Sequence, residues 1–306
     1  MTKKTYQIIG AASGFGAQIR ACEQGPDTLK ASGCLDQLKE KGIPCVGWET
    51  LYPTVRAQDQ ELPLKDALPT ICALNNLLAD RVFQAMSQKH FPVVIGGDHS
   101  IAVGTWNGVS KFLSQEDTKP LGLIWIDAHM DSHTPETTPS GAWHGMPLAA
   151  LLGYGKTELA QLKQEKPILE PNHICLIGAR SFEEGEIQLL KKLGVQIYFI
   201  DEVKKRGFDT VLKEAILIVS KDTFGYGVSL DIDVVDPSEA PGAGSLEPGG
   251  LSAKELLEGL TQLGRDPHFK AFELVEFNPE RDSEGKTAAL CLQILIAALS
   301  EGNPHE

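Results

Sequence analysis

No stretch of this 306-residue chain approaches the roughly 18 consecutive apolar residues that a membrane-spanning helix needs. Positive charge is also short. The 28 Lys and Arg against 41 Asp and Glu leave a formal charge of −13, which argues against nucleic acid, because a phosphate backbone calls for clustered cations. The same imbalance mildly favours a cationic substrate through long-range attraction. None of the six cysteines (Cys22, Cys34, Cys45, Cys72, Cys175, Cys291) stands at CxxC or another ligand spacing, and most lie inside apolar segments. Buried, reduced thiols in a reducing compartment are the expectation. The apolar run in MTKKTYQIIGA is too short for a signal peptide, so a cytoplasmic setting is expected. Repeats, low-complexity runs and a linker between two halves are all missing, which makes one domain over residues 1–306 the economical reading. What remains is an ordinary globular composition, 42% apolar and 23% charged. A chain of this length buries roughly three-quarters of its unfolded surface.

Eight short, β-branched-rich apolar runs recur: Tyr6–Ala11, Ile43–Glu49, Phe91–Gly97, Leu121–Asp127, His173–Ala179, Val195–Asp201, Tyr226–Asp233 and Ala271–Phe277. Several are continuously apolar, as expected of parallel strands covered on both faces. Helix-length amphipathic segments lie between them, among them Pro69–His90, Phe208–Asp222, Ser252–Leu263 and Gly285–Glu301. Ser252 followed by Glu255 forms a capping box. Alternating β and α segments predict an α/β fold with a parallel sheet. A closed eight-fold barrel and an open doubly wound sheet fit the count equally, and in both the site lies at the carboxyl ends of the strands. The polar segments Tyr52–Leu64 and Asp131–Trp143 read as loops, the second placed to read a substrate.

Acidic and histidine residues gather at three of those strand ends. PVVIGGDHS carries Asp98 and His99, LGLIWIDAHMD carries Asp127, His129 and Asp131, and YGVSLDIDVVDP carries Asp231, Asp233 and Asp236. On an extended strand, residues two apart share a face, so Asp127, His129 and Asp131 are expected to point one way, as are Asp231 and Asp233. A single DxD is more often a cap or turn, and a lone histidine is more often structural. Several carboxylates with few imidazoles and no thiolate instead suit hard or borderline divalent ions such as Mn²⁺, and the joint pattern reads as a two-metal hydrolytic site.

GGDHS, DAHMD and SLDIDVVDP, in that order, resemble the three signatures of the ureohydrolase (arginase and agmatinase) family. EQGPDTLKASG and LVEFNPERD extend the likeness along the whole chain. The resemblance implies the open doubly wound sheet of eight parallel strands with helices on both faces. It implies two Mn²⁺ ions, one held by His99, Asp127, Asp131 and Asp231 and the other by Asp127, His129, Asp231 and Asp233. Asp98 would stand behind the ligands and Asp236 would stabilise a turn. Asp131 would also orient the water that attacks a guanidinium carbon. Glu276 would pair with the guanidinium, for which a carboxylate is suited by bidentate, charge-assisted bonds. His144 would carry a proton to the leaving amine, a role suited to a group titrating near neutrality.

His133, Ser140, Glu183 and Glu186 match positions that read the rest of the substrate. Here the chain departs from the arginase pattern, with His133 and Ala142 at places where asparagine is usual and Glu183 in place of an aspartate. Glu183 and Glu186 could equally be an acidic helix start favoured by the helix dipole. The leading expectation is hydrolysis of L-arginine to L-ornithine and urea by a homo-oligomer, a trimer or hexamer by resemblance. The alternatives are another guanidino or formimino substrate (agmatine, a guanidino acid, formiminoglutamate) and a metal-stabilised non-catalytic homologue. A two-metal phosphoesterase is disfavoured, because no GNHE-type element or phosphate-cradling glycine loop is present.

Overall fold

The computed structural model describes residues 4–55, 62–116 and 119–301. Eight strands form one sheet: β1 (Tyr6–Ala11), β2 (Cys45–Leu51), β3 (Phe91–Gly96), β4 (Leu121–Ile126), β5 (Leu169–Ala179), β6 (Gln196–Phe199), β7 (Gly225–Asp231) and β8 (Phe269–Val275). Their order is β2-β1-β3-β8-β7-β4-β5-β6, every pair is parallel, and the sheet is open. The doubly wound alternative is therefore the one realised.

Two-sided burial explains the unbroken apolar runs. Ile124, Ile126, Val228, Leu230 and Phe272 point into one core layer, packed with residues of helices Phe208–Ser220, Ala253–Leu260 and Lys286–Leu299. Their neighbours Leu123, Trp125 and Ala271 point into the opposite layer, against helices Leu68–Ser87 and Ala102–Glu116. Burying each large apolar side chain contributes on the order of 1.5–3 kcal/mol, so the sheet is pinned from both faces. The capping box forms as read, with Glu255 N–H donating to Ser252 Oγ and Ser252 N–H donating to Glu255 Oε2, each at 3.2 Å. All six cysteines are free thiols, five of them buried. No helix among the described residues is long and apolar enough to cross a membrane.

Two expectations change, and a third lies partly outside the described residues. The run Val195–Asp201 is a strand only to Phe199, because Ile200–Arg206 turns helical with acidic residues in its first turn and basic ones in its last. β4 stops at Ile126 and β7 at Asp231, so Asp127, His129, Asp131 and Asp233 are not strand residues. Of the loop Tyr52–Leu64, residues 56–61 lie outside the described part.

Candidate metal centre

β3, β8, β7 and β4 are consecutive neighbours at the middle of the sheet. Their carboxyl ends carry His99, Glu276, Asp231 and Asp127, so the topology brings four sequence-distant motifs to one edge. Beyond the strand ends the backbone turns sharply. Asp131 (φ 46°) and Glu276 (φ 63°) hold left-handed conformations. Such conformations cost on the order of 1–3 kcal/mol each and gather at functional sites. The GGDH motif needs its second glycine for close approach, since a Cβ on Gly97 would stand 1.8 Å from the Ser13 carbonyl oxygen.

His99 is fully buried, and its ring stacks on Trp125 with centroids 4.2 Å apart. Its Nδ1 lies 2.9 Å from Asp131 Oδ2, 3.2 Å from Asp127 Oδ2 and 3.4 Å from Asp231 Oδ2. It is aligned for a hydrogen bond with none of them. A second group forms beside the first, with His129 Nδ1 3.0 Å from Asp233 Oδ2 and 3.4 Å from Asp127 Oδ1. Two triads result, His99–Asp127–Asp231 and Asp127–His129–Asp233, with Asp127 in both. Strand alternation does not produce this convergence. Asp127 accepts from the N–H of His129 and Asp231 from that of Asp233, so each aspartate closes a turn that swings the next side chain of the group inward.

Crowding four buried carboxylates has an electrostatic cost. Burial and then Asp127 push Asp131 up to about 6. Burial, followed by Asp233 and Asp127, pushes Asp231 well above the usual carboxylate range. Buried charges of one sign persist only when paired or when they hold a cation. An orphaned imidazole nitrogen among converging carboxylate oxygens, with no thiolate nearby, fits hard or borderline divalent ions.

The remaining residues line a cleft of about 160 Å³ above the centre, which includes His129, Asp131, His133, Ser140, Ala142, His144, Glu183, Glu186, Asp233 and Glu276. His144 Nδ1 lies 2.8 Å from Glu276 Oε1, which also accepts from the N–H of His99 at 2.9 Å. Burial alone would lower the His144 pKa. The charge and hydrogen bond of Glu276, together with the Asp131 and Asp98 charges, outweigh burial and raise it to about 9. A second, larger cleft of about 360 Å³ beside Tyr52, Glu23 and Asp27 contains none of these residues and no imidazole.

Asp98 and Asp236 stand apart from the cluster. Asp98 accepts from Ser13 Oγ, Gly16 N–H and Ser100 N–H, and so ties the turn after β1 to the turn that carries His99. Asp236 accepts from Ser238 and Gly249 and holds the turn after Val235, as expected. At the cleft's mouth both His133 nitrogens are engaged internally, Nε2 with Glu183 Oε2 at 2.8 Å and Nδ1 with Thr137 Oγ1 at 3.1 Å. Glu186 is buried and accepts from the N–H groups of Glu183 and Ser132, while Glu183 is exposed. The acidic pair thus partly serves the start of helix Glu184–Leu193, as the alternative reading held. Ser140 Oγ accepts from Ala142 N–H.

Sequence reasoning missed five residues around the centre. Trp125 donates its indole N–H to Asp127 Oδ2, Glu247 lies 3.5 Å from His129, and Cys22 Sγ donates to Glu276 Oε2 at 3.2 Å. Ser229 and Glu273 lie behind His99. All but Trp125 reach the centre through non-local contacts. Ser229, inside SLDIDVVDP, and Trp125, two residues before Asp127 in LGLIWIDAHMD, were the ones with a local signal.

Fold and site define an α/β protein with a buried carboxylate–imidazole centre suited to divalent cations. The Arginase family profile matches residues 4–300. An arginase of Bacillus caldovelox is 36% identical over 300 residues, covering 97% of this chain and 99% of that one. Its crystal structure superposes with a TM-score of 0.89 over 98% of this chain and 99% of the other. The Bacillus subtilis arginase is 34% identical, with a TM-score of 0.87 over 98% and 99% of the two chains. The Entamoeba histolytica arginase, solved in complex with L-ornithine, is 28% identical with a TM-score of 0.88 over 98% of this chain and 100% of that one. The chain belongs to the arginase family.

Proposed function

We propose that this protein is a binuclear manganese amidinohydrolase that converts L-arginine and water into L-ornithine and urea. The observation that carries the reading is the pair of His/Asp triads sharing Asp127 beneath a cleft that also holds Glu276 and His144. His99, Asp127, Asp131 and Asp231 are the donors for one ion, and Asp127, His129, Asp231 and Asp233 those for the other. When bound, such a pair supplies Lewis-acid activation of water near neutral pH.

Glu276 is the counter-charge for the substrate's guanidinium. Its Oε1 is taken up by His99 N–H and His144, which leaves Oε2, bonded among the described residues to the weak thiol donor Cys22, to meet the cation. Asp131 accepts a hydrogen bond from the attacking water and orients it. The departing nitrogen takes up two protons and leaves as ammonium, one released by the attacking water through Asp131 and one from His144. His144, charged against Glu276, regains its proton from the water's second hydrogen as the former guanidinium carbon leaves as urea.

Arginine is favoured because the relatives at 34–36% identity over nearly their whole length are arginases. Glu183 and Glu186 offer negative charge to its α-ammonium. Recognition of its carboxylate falls to Ser140 and nearby backbone N–H groups, because His133 is engaged and Ala142 has no polar side chain. A homo-oligomer in the cytoplasm completes the proposal, and light scattering on the purified protein tests the oligomer.

The deciding experiment incubates manganese-loaded protein with arginine, agmatine, a guanidino acid and formiminoglutamate, measuring urea or formamide and the amine product. Urea and ornithine in equal amounts from arginine are expected. Turnover of another compound with arginine untouched would replace the substrate, and no turnover of any would refute the enzyme.

A further inference from the structure

Behind His99, away from the cleft, lies a fully buried carboxylate that the reaction does not use. Glu273 projects from β8, and its Oε1 accepts from Ser229 Oγ at 2.7 Å. The same Ser229 oxygen is 2.9 Å from His99 Nε2. A hydroxyl has one proton, and here it goes to the carboxylate. Only lone pairs remain for the imidazole, so Nε2 must carry an N–H, and in the neutral ring that binds a metal Nδ1 is the nitrogen with the free lone pair. That lone pair faces the three carboxylate oxygens of Asp127, Asp131 and Asp231. An arrangement of acceptors facing acceptors is satisfied by a cation. The second oxygen of Glu273 is buried with no aligned hydrogen-bond partner among the described residues, as are the nearby Thr105 hydroxyl and Trp106 indole N–H. Burial raises the Glu273 carboxyl above its usual range, and His99, Thr105, Ser229 and Trp106 act the other way, toward the charged form.

We propose that Glu273 is a positioning residue which, through Ser229, sets the tautomer and orientation of His99 and strengthens its Nδ1 as a ligand. This rests on the reading that His99 holds one ion of a manganese pair. Ligating histidines commonly donate their second N–H to an acceptor of this kind, and removing it costs roughly 10–100-fold in metal affinity. Interposing Ser229 lets a carboxylate on β8 act on a ring carried from β3, across the strand pairing β3–β8–β7.

The test compares wild type with Glu273→Gln and Ser229→Ala by manganese titration, following free Mn²⁺ by electron paramagnetic resonance and bound metal by mass spectrometry. Melting of the metal-free proteins serves as the structural control. The expected result is one site weakened about 10–100-fold, the other retained, and the melting temperature of the metal-free protein unchanged. The spin-coupled signal of the pair should then need correspondingly more manganese. If Glu273→Gln does not fold, Ser229→Ala, which removes one hydroxyl, carries the test. Unchanged affinity in variants of a wild type that binds two ions would overturn this proposal alone. So would weakening matched by an equal loss of stability without metal. A wild type that does not bind two ions would instead refute the reading on which the proposal rests.

Discussion

Asp127→Asn is the most informative single perturbation, because Asp127 is the one residue in both triads, giving Oδ2 to the His99 side and Oδ1 to the His129 side. Asparagine keeps the volume and can still accept the Trp125 indole N–H, bonded in the wild type at 2.9 Å. Packing should survive while the shared charge is lost. An ion at a hundred times its Kd stabilises the folded state by about 2.7 kcal/mol, so two independent ions give about 5.4 kcal/mol. Unfolding entropy of about 2.1 cal/mol/K per residue amounts to about 0.64 kcal/mol/K for a chain of this size, and the metal-induced rise in Tm is then about 8 °C. The assay is thermal melting of manganese-loaded and chelator-treated protein. Wild type should show the full shift and Asp127→Asn roughly none, with both ions lost by mass spectrometry. A variant that keeps the wild-type shift would refute the bridging role.

Other outcomes follow from the same geometry. Glu276→Gln should leave manganese content unchanged while lowering kcat/KM by about 30-fold or more, the effect of removing one partner of a desolvated charge pair worth roughly 2–5 kcal/mol. Steady-state kinetics beside metal analysis checks this. Gly244→Ala should act the same way without touching the charge, since its Cβ would stand 2.1 Å from Glu276 Oε2. Displacing the carboxylate by about 1 Å is expected to cost on the order of 100-fold in turnover. The His144–Glu276 pair should also appear in pH-dependent stability of the metal-free protein. His144 is raised to about 9, so its contribution is fully present below the unfolded value of about 6.5 and is lost as pH rises through about 9. Urea midpoints of wild type and His144→Gln should differ most near pH 6 and converge above pH 9.

All eight strands were legible in the sequence, the central ones because strands buried on both faces must be continuously apolar, whereas the edge strands β2 and β6 are only partly buried and were read from their β-branched and aromatic residues. β1 matches its expected run at both ends, and β3 and β4 each run one residue short of theirs. The helix Ala102–Glu116 was not legible. It starts directly behind the His99 turn and carries Gly104 and Gly108, which approach the Asn75 and Ala79 carbonyls closely enough to exclude any side chain. Close helix packing overrode weak local propensity there. The converging His and Asp residues were legible because carboxylates beside an imidazole at several strand ends are hard to explain otherwise. The reason given for their convergence needed correction, since turns closed by Asp127 and Asp231 aim them. Glu273 and Cys22 were hidden, because a buried polar residue inside an apolar segment carries no local mark of what it meets across the sheet.

The central claim is that two divalent ions share Asp127. Diffraction at the manganese absorption edge from manganese-soaked crystals tests it directly. Two anomalous peaks are predicted, both within bonding distance of Asp127, one beside His99 and Asp231 and the other beside His129 and Asp233. A single peak, or peaks only at the His133–Glu183–Glu186 group, would contradict the account.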